Sequence, residues 1–284
     1  MQHLQYLDLY FGLVMWGIAL VTVVAYLVRA LLRGRARFAR TDADGGSVFL
    51  DKRAMEYAYW MLDPLINGLI ALRVTPNMVT GFSLLPALGA GVAIAFGWFG
   101  VACMLGTIAT LSDIVDGVIA RRTGVSSDAG EVFDAAVDRF GEFFLMGGLI
   151  FYYRDTWSVL LLALAATVGA FMISYSTAKA EAVQVPPPRG AMRRSERAVY
   201  LITAAGLTSI TKVIFADTPT LSLREAPMIL SIAIVAGVAN VSAVQRLGAI
   251  IQLLRARQPP PPPSDSTETD GIVTKRETPI PGGG

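Results

Sequence analysis

The sequence predicts an all-α integral membrane protein. It comprises a six-helix transmembrane core, one extra N-terminal transmembrane helix and an amphipathic helix lying in the interface. Three observations predict it. Hydrophobic types make up 54% of the 284 residues and charged types 16%, where soluble domains carry about a quarter charged. The apolar residues fall in blocks too long for the core helices of a soluble domain. Finally, Lys and Arg gather at one set of block ends, as they do on the cytoplasmic side of a membrane.

The first apolar block, residues 9–32, lacks a basic flank before it and is too long for a secretory leader. It ends in Arg33, Arg35, Arg37 and Arg40 and reads as the extra span. TDADGGS (41–47) is a polar loop. DKRAMEYAYWMLD (51–63) mixes charge with aromatic residues and reads as the interfacial helix, with Asp51 as its cap. Asp63-Pro64 and Thr75-Pro76 each set a capping oxygen before a proline, so each is expected to start a helix. The second opens the first core span, to about residue 96, and Trp98 and Phe99 mark the far interface. Further core spans are expected at about 101–119, 134–153, 157–179, 196–214 and 227–254, making seven in all. Tyr152, Tyr153 and Trp157 mark the far turn between the third and fourth core spans.

Loop charges orient this layout. One side holds Arg33 to Arg40, Lys52, Arg53, Arg121, Arg122, Arg189, Arg193, Arg194, Arg197, Arg255 and Arg257; the other holds Arg154, Lys212 and Arg224. The N-terminus is therefore expected outside the cell membrane and the C-terminus inside. The expected division is 1–40 for the extra helix and its basic flank, 41–74 for the loop and interfacial helices, 75–257 for the core, and 258–284 for a disordered proline-rich tail. A net charge of +2 is too small to suggest nucleic acid. The single Cys103 rules out a disulfide framework and reads as packing, and the single His3 leaves acid–base work to carboxylates.

Those carboxylates are concentrated in SDIVDGVIARRTGVSSDAGEVFDAAVDRFGE, residues 112–142. Asp113 and Asp116 are three apart at the end of one core helix, and Asp134 and Asp138 four apart at the start of the next. Each pair shares a helix face. The short connection makes the two helices adjacent and antiparallel, so four carboxylates can converge just inside the interface. Unpaired, they would repel, and each would cost several kcal/mol to desolvate. Oxygen-only ligands favour Mg²⁺ or Mn²⁺, completed by water and substrate phosphates. Gly117 and Ala120 let a ligand approach the backbone, and Arg121 offers a donor fork for a phosphate. Asp128 and Glu131 read as solvated loop residues off these faces, and Glu142 stays open. A cation transporter, the alternative of another class, would spread its acids toward the midplane; here they cluster at one end.

Asp113-x2-Asp116-Gly117-x2-Ala120-Arg121-x8-Gly130-x3-Asp134-x3-Asp138 resembles, without a gap, the signature of the CDP-alcohol phosphatidyltransferases. Thr75-Pro76-Asn77-x2-Thr80 resembles the start of that family's first core helix. The resemblance covers about residues 55–255. It implies transfer of the phosphatidyl group of CDP-diacylglycerol to a soluble alcohol with release of CMP. By the same resemblance, Asp113, Asp116, Asp134 and Asp138 hold the divalent metal, and Asp138 also takes the hydroxyl proton. Asn77, Thr80, Gly117, Ala120, Arg121, Ser127 and Gly130 meet the CDP-lipid.

For the acceptor, Ser174-Tyr175-Ser176-Thr177-Ala178-Lys179-Ala180-Glu181 with Arg194-x2-Arg197 looks like the segment with which phosphatidylinositol-phosphate synthases hold inositol phosphate. Ser174, Lys179, Arg194 and Arg197 fit that role, whereas Arg189 and Arg193 read as topology-setting charge. Thr177 stands where that subgroup carries a lysine and Lys179 where it carries an arginine. An inositol phosphate or related polyol phosphate is the expected acceptor, with glycerol 3-phosphate, inositol and serine open. A homodimer is equally open.

Overall fold

The computed structural model describes residues 2–33, 52–125, 127–186 and 191–257. The basic flank from residue 34, the loop at 41–47, the expected cap Asp51, Arg189 and the proline-rich tail lie outside the described residues, as do the side chains of Lys52 and Arg53. The described elements are α1 (Gln2–Arg33), α2 (Lys52–Ala71), α3 (Pro76–Ala95), α4 (Phe99–Thr123), α5 (Asp128–Tyr152), α6 (Trp157–Ala182), α7 (Arg194–Ile214), the single turn α8 (Leu221–Arg224) and α9 (Ala226–Arg257). No strand occurs among them.

Six of these helices, α1, α3, α4, α6, α7 and α9, are long and apolar enough to cross a membrane. The protein is an integral membrane protein. The seventh expected span, α5, has the length, about 37 Å for 25 residues, but Asp138, Arg139 and Glu142 interrupt its apolar run. Its sides explain the difference. Phe140, Phe143 and Phe151 are exposed outward, while Val137, Met146 and Leu149 are buried against the bundle.

Local chemistry sets the helix ends around the site. Thr75 accepts from the Met78 N–H at 3.4 Å with Pro76 at the first helical position, as expected. Gly124 ends α4 in the left-handed conformation, φ 69°. The Ser127 hydroxyl caps α5 by accepting from Gly130 N at 3.1 Å. Because that cap lies ahead of the expected start, Asp128 and Glu131 stand in the first turn of α5 rather than in a loop. Both remain exposed, and their charge suits a helix N-terminus.

Asp63-Pro64 does not start a helix: α2 runs through Pro64 unbroken. The Asp63 carboxylate, expected as a cap, instead accepts from Arg122 Nη2 at 2.5 Å, and Asn67 Oδ1 accepts from Arg122 Nη1 at 2.8 Å. This polar clamp, with Leu62 and Ile66 buried against Val115 and Ile119, fixes α2 to the end of α4. Beyond α2 the bundle is sealed: Phe99, Met146, Leu149, Leu201, Met228 and Ile232 belong to one buried cluster. The extra helix is tied in at both ends. Asp8 Oδ1 accepts from Gly100 N at 2.8 Å and Val101 N at 3.0 Å, satisfying first-turn amides of α4. Nearer its other end Thr22 and Tyr57 share a 2.5 Å hydrogen bond, and Tyr26 packs on Trp60.

The approach of α3 to α5 decides whether the site can close. A Cβ on Gly148 would lie 2.2 Å from Gly91 O, and one on Gly91 would lie 2.2 Å from Phe144 O. Small residues let membrane helices meet backbone to backbone. Gly148→Ala is therefore expected to destabilise the protein by about 1–3 kcal/mol, read as a lower melting temperature in detergent. Gly147→Ala, whose Cβ meets nothing within 4 Å, should leave the melting temperature unchanged.

Candidate active site

The last turns of α4 and the first turns of α5 bring the acids together. Carboxylate oxygens of Asp113, Asp116 and Asp134 lie within 4.8 Å of one another. Asp116 is buried, 5% exposed, and its Oδ2 accepts from the Thr80 hydroxyl at 2.5 Å. Asp134 Oδ1 is buried with no hydrogen-bond partner among the described residues. Three carboxylates, one with an orphaned oxygen, and no sulfur or imidazole make a hard, anionic donor set. They fit a divalent metal ion.

Asp138 joins this group through a cation. Arg194 Nη1, at the start of α7, pairs with Asp138 Oδ1 and also donates to Asp113 Oδ1 at 3.2 Å. From the sequence, Arg121 was the cation expected beside these faces. Arg194, expected at the acceptor, stands among the aspartates and also lines a smaller, deeper cavity. Its separation of 81 residues from Asp113 hid the pairing.

Beside the aspartates opens a cavity of about 330 Å³. Asn77, Thr80, Gly117, Ala120, Ser127 and Gly130 all line it, together with Asp116 and Asp134. Thus six of the seven residues expected at the CDP-lipid are brought together. The seventh, Arg121, lies against the same wall: a Cβ on Gly117 would stand 3.1 Å from its Nη1. Glycine at 117 leaves room for that guanidinium. Thr80 reaches the cavity, but its hydroxyl proton is engaged by Asp116, so it orients a carboxylate.

A second, smaller cavity of about 60 Å³ lies deeper, lined by Ser83, Thr110, Glu142, Arg194 and Arg197 among apolar residues. Arg197 is 1% exposed; its Nε donates to Glu142 Oε1 at 2.7 Å, while Nη1 and Nη2 have no partner among the described residues. Ser174 and Lys179 line neither cavity; Ser174 is half-buried and Lys179 exposed in the last turn of α6. The structure instead supplies a cation the sequence reading missed. Arg246 of α9 donates from Nη1 to Thr177 Oγ1 at 3.2 Å, its Nε is buried without a partner, and its charge acts on that of Arg197. Thr177 is the position where the phosphatidylinositol-phosphate synthases carry a lysine. An arginine inside an apolar span was the available signal.

Residues 73–239 match the family model described as CDP-alcohol phosphatidyltransferase. The chain belongs to that family. It is an enzyme of phospholipid synthesis, and all four aspartates and both cavities' polar residues fall within the matched residues. The helices α1 and α2 and Arg246 fall outside them. The phosphatidylinositol phosphate synthase of Cutibacterium acnes is 30% identical over 157 residues, 54% of this chain and 76% of that protein. The crystal structure of the Mycobacterium tuberculosis phosphatidylinositol phosphate synthase with manganese and citrate shares the fold at a TM-score of 0.58 and 24% identity, over 66% of this chain and 88% of that one. The same protein with CDP-DAG bound gives a TM-score of 0.56, again at 24% identity, over 66% and 92%.

Proposed function

We propose that the protein transfers the phosphatidyl group of CDP-diacylglycerol to the hydroxyl of an inositol phosphate, releasing CMP. The observation that carries the anionic acceptor is Arg197: a guanidinium held inside the bundle next to the aspartates, with two nitrogens unpartnered. Buried donors left open are costly, and a phosphate is the natural partner for such a fork. Arg246 beside Thr177 adds a second cation at the position where the phosphatidylinositol-phosphate synthases carry a lysine. The names of the relatives and the CDP-DAG bound in the Mycobacterium tuberculosis protein support the same substrates.

In this reading Asp113, Asp116, Asp134 and Asp138 would hold Mg²⁺ or Mn²⁺, which when bound neutralises the diphosphate. The residues of the chain do the rest. Thr80 fixes the Asp116 carboxylate. Asn77, Gly117, Arg121, Ser127 and Gly130 form the wall against which the nucleotide diphosphate lies. The Asp138 carboxylate accepts the proton of the acceptor hydroxyl. As the oxygen bonds to the phosphorus carrying the diacylglycerol, that phosphorus parts from its bridging oxygen, which leaves with the electron pair on CMP. The aspartates face the cytoplasm across the cell membrane and the N-terminus faces out, an orientation supported by Arg33, Arg121, Arg122, Arg255 and Arg257 at the aspartate end.

An acceptor panel tests the proposal. Purified protein supplied with radiolabelled CDP-diacylglycerol and Mg²⁺ or Mn²⁺ is given inositol phosphate, inositol, glycerol 3-phosphate or serine. Inositol phosphate should be turned over at least about tenfold faster than inositol, the loss that follows when a binding phosphate is removed. Faster labelling with serine or glycerol 3-phosphate would reject the inositol phosphate assignment.

A further inference from the structure

We propose that Glu142 is a positioning residue for the acceptor: it grips Arg197 so that the two terminal nitrogens of that guanidinium stay presented to the acceptor's anionic group. The inference rests on the reading above that Arg197 binds the acceptor.

The geometry is a two-rung ladder between α5 and α7. Asp138 and Glu142 are one turn apart on α5, and Arg194 and Arg197 are three apart on α7, so each pair shares a face. Asp138 pairs with Arg194, and Glu142 Oε1 accepts from Arg197 Nε at 2.7 Å. The residue expected to take the proton and the residue that grips the acceptor's cation therefore stand on one rigid helix. The lower rung is the drier, with side-chain exposures of 1% for Arg197 and 8% for Glu142.

Simple stabilisation does not explain this pair. A guanidinium carries five N–H donors, and a pair serving only stability would have its remaining donors satisfied. Here the carboxylate engages Nε and leaves Nη1 and Nη2 without partners. Gripping Nε fixes the plane of the guanidinium and turns its fork away from Glu142. Glu142, Arg194 and Arg197 all line the cavity of about 60 Å³, which has room for an oxyanion-sized group but not for a whole nucleotide lipid. Glu142 also sets one negative charge beside both Arg194 and Arg197.

The test compares E142A, E142Q, R197A and the E142A/R197A double variant in full-length protein, with CDP-diacylglycerol and inositol phosphate varied separately. E142A is expected to raise the KM for inositol phosphate about tenfold while the KM for CDP-diacylglycerol stays within about twofold. E142Q keeps an acceptor for Nε but loses the charge assistance, so its KM should rise by roughly threefold. The double variant should be no worse than R197A alone, because one mutation acts through the other. Losses that multiply, or an equal rise in both KM values, would overturn the positioning role. If E142A does not reach the membrane, an unchanged KM in E142Q overturns it instead. A raised acceptor KM in R197A with a normal one in both Glu142 variants defeats this inference alone. An unchanged acceptor KM in R197A defeats the acceptor reading and the inference together.

Discussion

Asp138→Asn should lower phosphatidyl transfer by on the order of 10²–10⁴-fold while the protein folds and still binds CDP-diacylglycerol. Asparagine occupies the same space and keeps an oxygen for Arg194, so the contact between α5 and α7 has a replacement. What it cannot do is accept the hydroxyl proton. Asp113 keeps its own 3.2 Å contact with Arg194, which limits the rearrangement. Turnover close to that of the unaltered protein would remove Asp138 as the base and leave it a partner of Arg194 only.

Chelation should have an effect of comparable size. Release of CMP from CDP-diacylglycerol in the presence of acceptor is expected to fall to background in excess chelator and to return with Mg²⁺ or Mn²⁺. Monovalent salt should not restore it. The reason is electrostatic: Asp113, Asp116 and Asp134 gather negative charge within 4.8 Å, and a nucleotide diphosphate brings more. Arg194, shared between two carboxylates, and the nearby Arg121 and Arg139 do not balance that total once the diphosphate is added. Undiminished CMP release in chelator would show that the aspartates serve some other purpose.

How far the sequence revealed this site depended on whether partners were near one another along the chain. The aspartates were legible because two helical spacings and one short connection fix their faces. Thr75 and Pro76 were legible because a cap is a local device. Asp63-Pro64 carried the same local signal and failed, since its meaning was settled by Arg122, more than fifty residues away. Ser127 was expected at the nucleotide, but its capping role moved the start of α5 and put Asp128 and Glu131 into a first turn. The pairings of Arg194 with Asp113 and of Arg246 with Thr177 were not legible for one reason: the partners lie on different helices, and no periodicity links them. Asp8 likewise gave no sign that it would cap α4. Six spans are apolar enough to be read from hydropathy alone, whereas α5 holds Asp138 and Glu142 toward the bundle and turns Phe140, Phe143 and Phe151 outward.

The central claim is that these aspartates form one cation-binding pocket, and Mn²⁺ binding followed by electron paramagnetic resonance tests it most directly. Titrated into the purified, metal-stripped protein, Mn²⁺ should lose its free-ion signal as it binds, and Asp116→Asn should weaken that binding at least about tenfold, with Asp155→Asn, an exposed residue of the far turn, as a control that changes nothing. Equal binding by the unaltered protein and Asp116→Asn, or no binding by either, would contradict the account.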